Sequence, residues 1–279
     1  MADNMIFDSH AHFDSEQFDE DRDELLMNLH LRSDAAGVGK IVNVGANIRG
    51  SLNSIGLAEK YEFIYAAVGV HPDDAGEICY LHEAENGLSS LECAKNFRLL
   101  QELALNPQTV AIGEIGLDYH WNVWPKEIQR EAFVKQWELA LKADLPVIIH
   151  SREAAEDTMK IVKNMYARNG EKLQAVMHCY SYGVEQAREY MDMGLLFGIG
   201  GVVTFSNARK LKEVVDFLPL NKIMLETDCP YMAPEPFRGK RNDSGMLTLV
   251  AEKIAEIKQL PVETVLETTC RNAREFFKK

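Results

Sequence analysis

No stretch of this chain is apolar enough, for long enough, to cross a bilayer, which takes about 20 such residues. The first residues, Met1-Ala2-Asp3-Asn4-Met5, carry neither a basic region nor a signal-type apolar core. A cytoplasmic protein with no membrane association is the expectation. Cysteine is scarce: Cys79, Cys93, Cys179, Cys229 and Cys270 are scattered, odd in number and without a Cys-x-x-Cys pair. They read as reduced thiols, not as a disulfide frame or a structural zinc knuckle. Positive charge is in deficit, with 30 Lys and Arg against 43 Asp and Glu and a formal net charge of −13. Such a surface does not coat duplex nucleic acid irrespective of sequence. An enzyme that grips one or two phosphates stays open, because a few Arg or Lys and bound dications reverse the field locally. Internal repeats, low-complexity tracts and linkers are missing. The glycines of Gly198-Ile199-Gly200-Gly201 fit neither a Walker loop nor a dinucleotide fingerprint and read as close packing at a strand end.

What is present is a regular alternation. The 279 residues, 46% hydrophobic and 26% charged, suit one domain over 1–279 with a large core. Apolar runs predict strands at about 5–8, 40–45, 63–70, 109–115, 146–150, 174–178, 195–200 and 223–227. Helix-like segments lie near 16–36, 50–60, 89–105, 126–143, 153–168, 184–193 and 207–217, with two more near 244–258 and 262–277. Pro125 is expected at the first position of the helix it precedes. Phe133, Trp137, Ala140 and Leu141 recur there at helical spacing, so Trp137 reads as a packing residue. Eight strand–helix units predict an α/β fold, a (β/α)8 TIM barrel, with the active site at the C-terminal ends of the strands.

The polar residues fall at those ends. Asp8-Ser9-His10-Ala11-His12 follows the run Met5-Ile6-Phe7. Side chains alternate along a strand, so His10 and His12 share a face and can grip one divalent cation. Other runs end in His71, Glu114, His150, His178 and Asp228. Six runs ending in a metal-capable residue are not chance, and a carboxylate among them can bridge two ions. Asp8 and Asp14 are placed to orient an imidazole or simply to close the strand. Cys179 and Cys229, directly after candidate ligands, read as small strand-end residues. His30 and His82 are expected to have no catalytic part.

With these residues assembled, the sequence resembles the TatD family of metal-dependent deoxyribonucleases, among the amidohydrolase-like barrels. The resemblance rests on Asp8-Ser9-His10-Ala11-His12, Gly69-Val70-His71-Pro72 and Gly113-Glu114-Ile115-Gly116-Leu117-Asp118-Tyr119. It continues through His150-Ser151-Arg152, His178-Cys179-Tyr180-Ser181, Glu226-Thr227-Asp228-Cys229-Pro230-Tyr231 and Arg238-Gly239-Lys240-Arg241-Asn242. The resemblance implies two divalent ions per subunit, Mg, Mn or Zn. His10, His12, Glu114 and Asp228 would hold one, and Glu114, His150 and His178 the other, with Glu114 bridging. Glu114 and Asp228 then become the catalytic carboxylates, Asp228 holding or accepting the proton of an attacking water. Arg152, His71 and His120 are expected to bind phosphate, as is the basic cluster Arg238, Lys240 and Arg241. The chain departs from the family pattern at Asp73-Asp74 and at Asp243-Ser244, both in substrate loops. The implied activity is trimming of single-stranded DNA from its 3′ end by phosphodiester hydrolysis, with no obligate protein partner. The second reading is an amide, ester or lactone hydrolase on the same barrel, an aminoacyl-tRNA deacylase among them. A non-catalytic binding protein is disfavoured, because all six ligand positions are filled.

Overall fold

A computed structural model of the chain describes residues 5–31, 37–79, 89–170 and 174–279. His82 lies outside the described residues. Eight parallel strands form one sheet in the order of the sequence: β1 (Ile6–Ala11), β2 (Val38–Val44), β3 (Ile64–Val68), β4 (Thr109–Asp118), β5 (Val147–Arg152), β6 (Ala175–Met177), β7 (Leu196–Ile199) and β8 (Ile223–Leu225). The helices between and after them are α1 (Arg22–Leu31), α2 (Ile48–Lys60), α3 (Ser90–Leu103), α4 (Lys126–Ala143), α5 (Ala155–Asn169), α6 (Val184–Asp192), α7 (Arg209–Phe217), α8 (Leu247–Lys258) and α9 (Val262–Phe277). This is the (β/α)8 barrel fold. No described helix is long and apolar enough to cross a membrane.

The chain divides into two compact units. The first comprises Met1–Asn43, Tyr61–Ile64 and His178–Lys279. In it β1 pairs with β2 from Ile6↔Val38 to Ala11↔Asn43, and β7 pairs with β8 from Phe197↔Ile223 to Ile199↔Leu225. Every residue of β1 and β8 is buried, as parallel strands covered on both faces require. Phe7 stacks on Phe277 of α9 at 5.7 Å, and Phe13 packs on Phe18 at 4.8 Å. Asn272 of α9 donates to the carbonyls of Leu220 and Ile223, fastening that helix to the start of β8.

The second unit comprises Val44–Lys60 and Tyr65–Met177. Here β3 pairs with β4, β4 with β5 and β5 with β6. All ten residues of β4 are buried. On α4, Phe133, Trp137 and Ala140 are buried, and Phe133 packs on Trp137 at 5.2 Å, so Trp137 is a packing residue. Two buried glutamines of α4 serve the strands. Gln136 pairs with both backbone groups of Val70, and Gln129 with both of Asp118.

Several boundaries differ from the sequence reading. β1 runs to Ala11, so His10 lies inside it. β4 runs to Asp118, and Arg152 is the last residue of β5 rather than beyond its end. A continuously apolar run carries no alternation to mark its end, and the pairing of the neighbouring strand decides it. Pro125 is the cap before α4, with ψ 143, not its first helical residue. Its carbonyl accepts from Gln129, so the helix begins one residue later than expected. The first helical segment splits into a 3-10 turn at Glu16–Phe18 and α1, and its residues 32–36 lie outside the described set. The segment expected from 244 opens as a 3-10 turn, Ser244–Met246, before α8.

Candidate metal centre

In the first unit the end of β1 is latched to the chain after β8. Asp8 is fully buried. Its Oδ1 accepts from the backbone of His10 (3.2 Å) and Thr227 (3.0 Å), and its Oδ2 from the hydroxyls of Thr227 (2.7 Å) and Ser244 (2.6 Å). Burial pushes the Asp8 carboxyl up to about 7 in spite of these bonds. Asp8 thus closes the strand rather than orienting an imidazole. Asp14 accepts from Asn43, whose own side chain accepts from the Phe13 backbone. The His10 carbonyl accepts from the Asp228 backbone, and the Cys229 carbonyl from that of His12, each at 2.9 Å.

This latch sets four predicted ligands around one point. Asp228 Oδ1 lies 3.3 Å from His12 Nε2, 3.7 Å from His178 Nε2 and 3.8 Å from His10 Nε2. The Nε2 atoms of His10 and His12 are 3.1 Å apart, and the His10 ring stacks on that of His178 at 3.5 Å. Donors bound to one cation at 2.0–2.2 Å in a tetrahedral set are separated by roughly 3.4 Å. The donor set therefore fits a divalent ion of the borderline class that takes imidazole and carboxylate. Burial raises Asp228, but the His12 hydrogen bond and the nearby imidazoles of His178 and His10 outweigh it and hold the carboxyl below its usual range. Asp228 and Cys179 both sit in the left-handed region, at φ 56 and 44. Such conformations cost roughly 1–3 kcal/mol and collect at working sites.

Glu226 was seen in the sequence only as part of a strand-end motif, yet it fixes His178. Its Oε2 takes His178 Nδ1 at 3.1 Å and its Oε1 the Cys179 backbone N–H at 2.6 Å. A carboxylate only accepts, so Nδ1 carries the hydrogen and Nε2 presents its lone pair toward Asp228. His10, His178 and Glu226 are themselves close enough to share an ion. Space for Glu226 comes from β7: a Cβ at Gly198 would overlap the Glu226 carboxylate. Gly198 is thus close packing with a specific beneficiary.

The second unit holds the other predicted ligands. The β4–β5 register shifts between Ile112 and Ile115, and the Glu114 N–H leaves the ladder for the Gly45 carbonyl at 3.2 Å. Such bulges re-aim side chains. Glu114 Oε1 meets His150 Nδ1 at 2.7 Å, and His150 Nε2 meets Asp118 Oδ2 at 3.0 Å. Asp118 is the second residue missed in the sequence. Unlike His178, whose Nδ1 alone faces Glu226, His150 has a carboxylate on each ring nitrogen, so this pair holds the ring as an imidazolium. Burial opposes charge on His150, but Asp118 and Glu114 raise it to about 10. Burial likewise opposes charge on Asp118, and the His150 bond with the backbone N–H groups of Trp121 and His120 brings it to about 2. Gly116, at φ 151, lets β4 approach the His150 carbonyl, where a Cβ would collide.

The expected substrate residues are placed unevenly. The His71 ring lies 4.4 Å from that of His150 and, with Asp118, can share an ion with it. Its Nδ1 accepts from the Asp73 backbone. His120 is exposed and its Nδ1 meets Glu153 Oε1 at 2.7 Å. Arg152 is exposed, its guanidinium over the Trp121 ring. In the first unit Arg238, Lys240 and Arg241 are all exposed. Arg241 forms a two-pronged ion pair with Asp21, donates to the Gln17 carbonyl and lies over Phe18. Arg238 lies over Phe205 at 4.4 Å. A cluster tight in sequence is therefore divided between two anchors.

Residues 7–278 match the family described as TatD related DNase. A relative from Bacillus subtilis, named an uncharacterized metal-dependent hydrolase, YabD, is 40% identical over 98% of this chain and 99% of its own. A relative from Escherichia fergusonii, named 3′-5′ ssDNA/RNA exonuclease TatD, is 31% identical over 98% of each chain. The crystal structure of YjjV, a TatD homologue from Escherichia coli, superposes with a TM-score of 0.83 at 27% identity, covering 100% of both chains. A match of this extent, over a chain whose strand ends carry the imidazoles and carboxylates just described, places the protein among the metal-dependent hydrolases of the TatD family.

Proposed function

We propose that this hydrolase removes nucleotides from the 3′ end of single-stranded DNA, cleaving phosphodiester bonds at a two-ion centre. His10, His12, Glu114 and Asp228 would hold one ion and Glu114, His150 and His178 the second; His178 Nε2, 3.7 Å from Asp228 Oδ1, lies within reach of the first as well. Barrel topology supports the assignment, because all six residues lie in the C-terminal half of a barrel strand or just after it, the side where barrel enzymes assemble their sites. The observation that carries the reading is the convergence of three imidazole Nε2 atoms on Asp228 Oδ1. Divalent ions held there would lower the pKa of a water and offset charge on phosphoryl oxygens. Asp228 would orient the attacking water and take its proton at a carboxylate oxygen. Glu226 keeps His178 in the ligating tautomer, and Asp118 fixes the His150 ring, which must release a proton to ligate. Arg152 offers a planar fork to a phosphate.

The relative named as an exonuclease supports a nucleic-acid substrate. The Arg241–Asp21 ion pair engages one of three cations expected at phosphate. That observation keeps an ester or amide, such as an aminoacyl-tRNA ester, as the second reading. The deciding assay is release of nucleotides from labelled single-stranded DNA with Mg²⁺ or Mn²⁺, with and without chelator. Release that needs the metal supports the proposal. No release, with turnover of an aminoacyl ester, replaces it by the second reading.

A further inference from the structure

The loop after β4, Tyr119-His120-Trp121-Asn122-Val123-Trp124-Pro125, is fastened at many points and yet leaves one of its two tryptophans in solvent. Asp118 Oδ1 accepts from the backbone of His120 (2.9 Å) and of Trp121 (3.1 Å). Gln129 Nε2 donates to the Asp118 and Trp124 carbonyls, and the Tyr119 hydroxyl donates to Asp157 at 2.6 Å. The Trp124 indole N–H donates to the Asp73 carbonyl, and its ring lies against Gly76, where a Cβ would overlap it. Trp121 alone among these aromatics stays open, 63% exposed. A loop held this firmly has no need of an exposed indole for folding, and burying an indole normally stabilises a fold.

Two features say what the ring faces. Arg152 sits over the indole, its Cζ 5.5 Å from the ring centroid. Next to that cation the ring offers a π-surface beside a phosphate-binding fork, the pairing that single-stranded nucleic acid presents as base and backbone. Asp118 also ties the ring to the metal ligands: one carboxylate oxygen holds the Trp121 backbone and the other holds His150. Asp118 and Arg152 are register partners on β4 and β5. The platform is therefore rigidly indexed to a proposed ligand.

We propose that Trp121 is a base-stacking platform that receives an unpaired nucleobase of the substrate strand while Arg152 takes its phosphate. The inference rests on the nuclease reading above and adds to it the requirement for an unstacked, single-stranded end. A duplex end keeps its bases stacked on one another and cannot offer one to the indole.

The test compares binding of fluorophore-labelled oligothymidylate with that of an abasic strand of equal length, both with phosphorothioate linkages and Mg²⁺, by anisotropy. Wild type should prefer the base-bearing strand, and Trp121→Ala should lose that preference by roughly 5- to 140-fold, the range for one base–aromatic stack. Trp121→Phe should keep most of it and Trp121→Leu should not, because leucine supplies apolar area without a π-face. Abasic affinity should be the same in all four proteins. Equal affinity of wild type for both strands overturns the platform and leaves the nuclease reading standing. Failure of wild type to bind either strand overturns both. A changed oligomeric state in Trp121→Ala with unchanged strand binding makes the indole a protein contact instead and also refutes the proposal.

Discussion

Replacing Glu226 by Gln changes one atom and should disable His178. Both Glu226 oxygens accept, one from His178 Nδ1 at 3.1 Å and one from the Cys179 N–H at 2.6 Å. Gln has one oxygen and one NH₂, so one of these donors must face another donor. If the amide oxygen stays on the Cys179 N–H, the NH₂ faces Nδ1. The imidazole then moves its hydrogen to Nε2, the atom 3.7 Å from Asp228 Oδ1. A nitrogen carrying hydrogen cannot ligate a metal. If the amide turns the other way, the Cys179 N–H loses its acceptor at a cost of about 1–3 kcal/mol. Disturbing such outer partners typically costs 10- to 100-fold in metal affinity or activity, about 1.4 to 2.7 kcal/mol. Competition for Zn²⁺ or Mn²⁺ against a fluorescent chelator reads the affinity directly, and circular dichroism checks the fold. Wild-type affinity and wild-type activity in a folded Glu226→Gln would refute the orienting role.

Four further outcomes follow from the same geometry. Gly198→Ala should lower metal affinity by a similar factor, because its Cβ displaces the Glu226 carboxylate; the chelator competition checks it. Glu114→Ala should abolish hydrolysis, whereas Arg152→Ala should mainly raise KM, as steady-state kinetics on an oligonucleotide will show. Metal uptake at His150 should release a proton at any pH below about 10 and weaken as pH falls, because Asp118 and Glu114 hold that proton on the ring; calorimetric titration in buffers of differing ionisation enthalpy counts the proton released. Neutralising Arg238, Lys240 and Arg241 together should flatten the salt dependence of oligonucleotide binding, measured at several salt concentrations. Arg241→Gln alone should change it least, since that guanidinium already pairs with Asp21.

The candidate ligands stand out because a buried parallel strand is apolar throughout, so a His, Glu or Asp near its end has no packing explanation. Asp118 and Glu226 were harder to read for the same reason in reverse. Their roles depend on reaching the end of another strand, His150 being 32 residues from Asp118 and His178 being 48 from Glu226. Nothing local in either motif says which carboxylate ligates and which orients. The ends of β1 and β4 were misjudged because continuous apolar runs lack a period to break. The basic cluster near Arg241 looked like one phosphate site because spacing along the chain says nothing of Asp21, 220 residues away. Trp121 carried no periodic signal, and its exposure beside Arg152 exists only in the fold.

Two ions on the six candidate ligands is the central claim. Equilibrium dialysis of the metal-stripped protein against Mn²⁺, with the bound metal counted per chain, measures this directly. Wild type should bind two ions and Glu114→Ala fewer, because the shared carboxylate serves both. A wild-type chain that binds none, or a Glu114→Ala chain that binds the same two with the same affinity, contradicts the account.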